Sequence, residues 1–412
     1  MKKTATVFAL IASAISASPA FSQSNIAFDS KIELRLSHRH SEDLALLAPF
    51  PKDTFMQTAD PGSHLEVSNF TFYHRMTFSE NTLFNVKIDA IDLYERNPTT
   101  SDRKVDVDLL FFRYGKKHTQ GLLPEKTTYY GQIGKFGKFE RQEDRHLESY
   151  GLVSTAFNRL EDSGIELGLD LPIGLYLKLA YTTGNPLFFR APNALAGDNG
   201  VEFGKDAESP KYNSGFPVLY DAEVESFDLS ENPETSLGLG YRWLSDDGLT
   251  RINTLVHYNK RELADTIELE GTGYGGDLDL LQVIIPAEVI APGAEPFVGF
   301  DIQGRDKIEA GLTLWLYHDN FSFFAQYVDQ EFAGQSRTGS EFEISYMFTG
   351  IPYIDAVIPA FRYSQLRNDF DILGPYPAAS VDWNWDKYDI GATVRFNDYV
   401  SLIVEHSDNQ FV

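Results

Sequence analysis

The chain contains no cysteine, which excludes a disulfide framework and any thiol chemistry. Long apolar runs are missing too. Beyond residues 5–17 no segment approaches the roughly 20 apolar residues that a membrane-spanning helix requires. Catalytic signatures are equally scarce. There is no nucleophile elbow, no P-loop and no His-Glu-x-x-His. The nine histidines are scattered, and His38-Arg39-His40 falls at a strand end, where a surface role fits better than a metal site. No enzymatic activity, cofactor or metal is therefore expected, and a formal charge of −25 gives no reason to expect a nucleic-acid partner.

What the chain has in quantity is alternation. In residues 307–317, Ile308, Ala310, Leu312, Leu314 and Leu316 share one face, while Lys307, Glu309, Gly311, Thr313, Trp315 and Tyr317 share the other. Phe321, Phe323, Ala325 and Tyr327 continue the apolar face after the turn His318-Asp319-Asn320. Phe342, Ile344, Tyr346 and Phe348 then oppose Glu341, Glu343 and Ser345. Charges on one side of a strand and Leu and aromatics on the other fit water inside and lipid outside, so the expected fold is an all-β transmembrane antiparallel barrel. A hydrophobic content of only 42 % agrees, because every second wall residue faces water. A soluble β-sandwich also alternates, but it does not need a fresh apolar strand every few tens of residues along the whole chain.

The N-terminus says where such a wall is built. Met1-Lys2-Lys3 is a positive n-region, residues 5–17 are an apolar h-region, and Ala20-Phe21-Ser22 offers small residues for cleavage. Residues 1–22 are thus expected to be a secretory signal peptide and 23–412 the barrel, which places the protein in a Gram-negative outer membrane.

Fifteen strands can be traced, near 28–36, 70–78, 84–90, 105–114, 127–136, 164–171, 174–182, 236–244, 251–260, 307–317, 321–327, 342–348, 357–364, 387–396 and 400–406. Tight connections alternate with long ones at 40–64, 137–162, 184–235, 261–306 and 365–384, so the long loops are expected to be extracellular. Single-chain bacterial barrels have an even strand number. Either the last strand is lacking or one more lies in 137–162 or 280–300; about sixteen strands are expected, enough for an aqueous channel.

Acidity is concentrated in two of those loops. Residues 184–234 hold ten acids against Arg190, Lys205 and Lys211, and residues 261–306 ten against Arg261 and Arg305. Solubility is one reading, and divalent-cation binding by Glu262, Asp265, Glu268, Glu270, Asp277 and Asp279 is another, although no EF-hand spacing is present. The water-facing strand positions are more balanced. Lys31, Arg35, Arg75, Lys87, Glu166, Asp170, Lys178, Arg242, Arg251, Lys307, Glu309, Arg362 and Arg395 are the candidate pore lining. The cations either attract and orient anions or only solvate the channel and pair across strands. On the first reading, replacing Arg242, Arg251 and Arg362 by Ala shifts selectivity toward cations. Tyr73, Tyr176, Trp315, Tyr317 and Phe324 are also water-facing by parity, as sugar-stacking or packing residues, and Trp383 and Trp385 are expected in an aromatic belt. The apolar, proline-containing stretch 280–298 and the charged stretch 137–162 are alternative constriction loops.

Gly131-Gln132-Ile133-Gly134-Lys135-Phe136-Gly137-Lys138-Phe139, with Leu160-Glu161-Asp162-Ser163-Gly164-Ile165-Glu166-Leu167-Gly168, resembles the strand-loop-strand block of outer-membrane porins, most similarly the phosphate-selective O and P type. The block covers about a tenth of the chain. The resemblance implies a homotrimer of sixteen-strand barrels set among outer-membrane lipid and lipopolysaccharide, and passive diffusion of small hydrophilic solutes and ions. An anion- or oligosaccharide-selective channel, a surface adhesin or receptor working through the acidic loops, and an outer-membrane hydrolase are the alternatives.

Overall fold

The computed structural model describes residues 26–41, 45–48, 54–57, 62–92, 106–118, 122–139, 146–149, 151–157, 161–184, 223–224, 229, 232–263, 269–270, 284–285, 297–298, 303–370 and 384–411. In chain order the strands are β1 (Ala27–Ser41), β2 (Ala45–Ala48), β3 (Thr54–Gln57), β4 (Gly62–Ser79), β5 (Thr82–Asp92), β6 (Asp106–Gly115) and β7 (Thr128–Gly137). After the short helix α1 (Leu152–Ala156) come β8 (Glu161–Asp170), β9 (Leu175–Thr182), β10 (Glu223–Val224), β11 (Glu234–Leu244), β12 (Thr250–Glu262), β13 (Leu269–Glu270), β14 (Ile284–Ile285) and β15 (Phe297–Val298). The chain continues as β16 (Asp306–His318), β17 (Phe321–Phe332), β18 (Gln335–Tyr346), β19 (Ala356–Asp369), β20 (Trp385–Asn397) and β21 (Val400–Phe411). Fifteen of these form one antiparallel sheet in sequence order; β2–β3, β10–β13 and β14–β15 make separate two-stranded ribbons.

Side-chain parity explains why these segments form this sheet. In β11 and β12 burial alternates residue by residue, with Ser236, Arg242, Asn253, His257 and Asn259 buried and Leu237, Leu239, Trp243, Val256 and Tyr258 exposed. The large apolar side chains are thus the exposed ones: Leu239 retains 55 % and Ile390 57 % of its surface, whereas Lys178 and Arg362 retain 1 %. Polarity is inverted relative to a soluble domain, as a wall with lipid outside and polar groups inside demands. Turn chemistry pins the register. Asp319 takes a positive φ between β16 and β17, and the Asn397 side chain accepts the N–H groups of Tyr399 and Val400 between β20 and β21.

Rings and glycines face each other across strands on the enclosed side. Tyr130 is paired with Gly168, Tyr176 with Gly240 and His257 with Gly311, and a Cβ at any of these glycines would overlap the opposing ring. Each ring therefore lies flat across its neighbour, which leaves the enclosed space less crowded.

All fifteen strands read from the alternation are present, most of them longer at their ends. Among the described residues no sixteenth occurs where it was sought. The described part of 137–162 turns inward and includes α1, and the described part of 280–300 consists of β14 and β15, two residues each. Nor are all tight connections at one end. Ala333 and Gly334, both with positive φ, link β17 to β18 at the long-loop end, while β6 and β7 are separated by more residues at the short-turn end. Trp385 is not a belt residue: it is fully buried on the enclosed face against α1. A tryptophan can face inward here because the returning helix and the residue after it supply apolar partners Leu152, Val153, Ala156 and Phe157. Trp383 lies outside the described residues.

Replacing Gly240 with Val should displace the Tyr176 ring, which stacks on Arg242 and hydrogen-bonds Asn253. The expected cost is about 1–3 kcal/mol, typical of overpacking. Urea unfolding in detergent reads it, and an unchanged midpoint would mean that the ring does not lie over the glycine.

Candidate functional site

The enclosed face is a set of ion pairs partly covered by chain that folds inward after β7. Lys138 lies between Glu234 and Asp162, 3.1 Å from the latter. Burial opposes its charge, but the two carboxylates outweigh burial and raise its pKa above the usual lysine range. Phe139 packs with Tyr176, Leu255, Trp315 and Phe324. Residues 146–149 and 151–157 then rest on β17 to β21. The Arg362 guanidinium donates to the Ser149 carbonyl at 2.6 Å, Thr393 donates to the His146 carbonyl at 2.8 Å, and the Val153 N–H donates to Glu341 at 3.1 Å. A backbone segment pressed against a polar wall has donors and acceptors to satisfy, and these wall side chains satisfy them.

Among the described residues no ladder joins β21 back to β1. Glu148 bridges the two instead. Its carboxylate meets Arg35 of β1 at 2.5 Å, and the backbone N–H groups of Glu148 and Ser149 donate to Glu405 of β21.

The thirteen candidate lining residues fall into three groups by burial. Glu166, Asp170, Lys178, Arg242, Lys307, Glu309 and Arg362 are buried. Glu166 accepts from Tyr130, Gln132 and Lys117 at 2.7, 3.1 and 3.1 Å, and Asp170 pairs with Arg242. Lys178 lies 5.3 Å from the Tyr176 ring centroid, Lys307 is 3.3 Å from Glu234, and Glu309 accepts from Asn259 and Gln330. Arg362 meets Asp389 at 2.9 Å. Arg35 and Lys87 are half-buried in pairs with Glu33 and Glu148, and with Asp89 and Asp108. Lys31, Arg75, Arg251 and Arg395 are exposed; Lys31 is 3.1 Å from Glu33, and Arg251 stacks 5.0 Å from the Tyr317 ring centroid.

That division has a sign. The acids of the enclosed face, Glu33, Asp89, Asp108, Asp162, Glu166, Asp170, Glu234, Glu309, Glu341, Glu343, Asp389 and Glu405, are buried, and Asp29 is the exposed exception among the described residues. The charges that solvent reaches are chiefly cations. Lys117, Lys138 and Glu148 were absent from the candidate lining because they stand outside regular strands, and Glu234 because it was counted with a loop. Of the proposed cation-binding acids, Glu262 faces Arg305 at 3.3 Å, and the side chains of the other five lie outside the described residues.

No protein-family model and no curated protein matches this chain. Solved structures similar to it include OmpT, an outer membrane protein of Vibrio cholerae folded in vitro and in trimer form, at 7 % identity over 94 % of this chain and 89 % of that one, TM-score 0.48. OprB of Pseudomonas putida at high pH gives 8 % identity over 99 % and 92 %, TM-score 0.39. OmpF of Salmonella typhi in complex with daunomycin gives 9 % over 100 % and 97 %, TM-score 0.36. At such identities and scores no residue correspondence or activity carries over.

Lys117, in the connection between β6 and β7, supplies a titration. Burial pushes its pKa down to about 8 against the pull of Glu166, with Lys178 and Arg113 adding to the fall. The folded chain releases this proton at lower pH than the unfolded chain, so stability from this group should rise between about pH 8 and the ordinary lysine range. Amine acylation followed by mass spectrometry should show Lys117 becoming reactive near pH 8, and a profile like that of an exposed lysine would refute its half-buried placement beside Glu166.

Proposed function

We propose that the chain is an outer-membrane, porin-like barrel forming a water-filled channel for passive diffusion of small hydrophilic solutes and ions, with no covalent chemistry. One observation supports this above the others: the sheet encloses its charged residues and exposes its large apolar ones, the arrangement of a wall between lipid and an aqueous interior. Its natural surroundings on this reading are outer-membrane lipid and lipopolysaccharide, and its assembly a homotrimer.

The finer reading is an anion preference, despite a formal charge of −25. It is favoured by the accessible cations Lys31, Arg75, Arg251 and Arg395, with Arg35 and Lys87 half-accessible, set among buried acids. Arg242 and Arg362 are held in buried pairs, so they support the wall instead of meeting solute. Much of the excess acidity falls between the long strands, in residues 184–233 and 261–306.

Planar bilayers test both levels. The folded chain should pass ion current, and silence would refute the channel. Replacing Arg75, Arg251 and Arg395 together by Ala should bring the anion-over-cation permeability ratio to one or below; an unchanged reversal potential would assign selectivity elsewhere. For the outer face, Leu239→Arg should cost about 2–4 kcal/mol in lipid vesicles if the residue sits near the bilayer midplane. An unaltered unfolding midpoint would argue against lipid contact there.

A further inference from the structure

We propose that the seam between β1 and β21 is an acceptor for one additional β-strand, an extended peptide segment of about ten to twelve residues with polar and apolar side chains in alternation. The inference rests on the sheet itself and is independent of whether the barrel conducts.

Direction is the first argument. Every ladder of the fifteen-strand sheet joins sequence neighbours antiparallel, so its first and last strands run the same way. Direct pairing of β1 with β21 would be parallel in an otherwise antiparallel wall. One strand laid between them is antiparallel to both, and it brings the count to an even number, as in closed bacterial barrels. Length is the second argument: β1 offers 15 residues and β21 offers 12, more than the roughly ten that cross a bilayer.

Cost is the third. A sheet edge in hydrocarbon leaves backbone N–H and C=O groups without water, and the remedy is another strand. Glu148 and Ser149 tie the enclosed side of the seam through Arg35 and Glu405, but these contacts go to side chains and leave the strand-to-strand ladder unmade.

The flanks define the occupant. Toward the interior stand Glu33, Arg35 and Ser37 on one edge and Glu405 and Ser407 on the other, which suit polar and charged side chains. Toward the outside stand Ile32 and Leu36 with Leu402 and Val404, which suit aliphatic ones. β20 shows what a strand in such a place looks like. It lies between β19 and β21, which share a direction, and turns Lys387 and Asp389 inward and Tyr388 and Ile390 outward.

The absence of native cysteine makes the test clean. The probe is a synthetic peptide with the sequence of residues 385–397 and cysteine in place of Ile390. It is added to the full chain, refolded in detergent, carrying either Leu34→Cys or Val404→Cys. Both variants should capture one peptide per chain as a disulfide, and a scrambled peptide that breaks the alternation should be captured at least tenfold less. Should either variant fail to refold, Ile32→Cys and Leu402→Cys give the same readout. Capture by neither edge, or equal capture of the scrambled peptide, overturns the proposal. So does an internal disulfide in Leu34→Cys/Val404→Cys without peptide, which needs Cβ atoms about 3.5–4.5 Å apart and therefore direct strand contact. A chain-to-chain disulfide in a single variant would give the seam to a second copy and overturn it as well.

Discussion

The period of two along a β-strand is the constraint on which the rest of this structure depends. Successive side chains point to opposite faces, so one shift of register would send Arg242, Asn253 and Glu309 outward and Leu239, Val256 and Leu312 inward. Fifteen strands obey the same parity, and the sheet has one consistently charged side and one consistently apolar side. Backbone pairing supplies the second half of the constraint. Each ladder satisfies its neighbours' N–H and C=O groups, and curling the sheet encloses the charged side.

Enclosure changes what the charges do. A carboxylate on an open sheet face would be solvated, whereas Glu166, Asp170, Glu341 and Asp389 sit where water does not reach and need protein donors. They find them in Tyr130, Gln132 and Lys117, in Arg242, in Gln326 and the Val153 backbone, and in Arg362. Isolated surface pairs contribute little, but removing one member of a buried pair leaves an uncompensated charge, so these residues hold the wall's geometry more than its selectivity.

The wall was legible in the sequence because parity is a local signal. Every long strand could be placed from alternation alone, including the faces of Trp315 and Phe324, which the structure buries in an internal aromatic cluster. The tight turn at Ala333-Gly334 was less legible, since the polar residues of 336–340 read as loop but continue β18. Trp385 was misplaced because its partners lie in and beside α1, which is far away in sequence. The same limit applies to the candidate lining. Parity says that Arg362 and Arg395 face inward, but which of them meets water depends on where the segment carrying Ser149 and α1 comes to rest, and no alternation encodes that.

The inward segment also accounts for the sign of what remains exposed. A stretch of irregular backbone laid on a strand wall presents N–H groups that need acceptors, and carboxylates are the strongest acceptors that the wall can offer. Glu405 takes the N–H groups of Glu148 and Ser149, Glu341 takes that of Val153, and Glu148 itself engages Arg35. Lys138 draws in Asp162 and Glu234 in the same way. Docking the segment therefore withdraws acids from the enclosed surface in preference to cations. Lys31, Arg75, Arg251 and Arg395, on strands or strand ends that the described part of the segment does not cover, stay accessible. A chain with many more acids than bases can in this way present a cationic inner surface without any excess of cations on its strands.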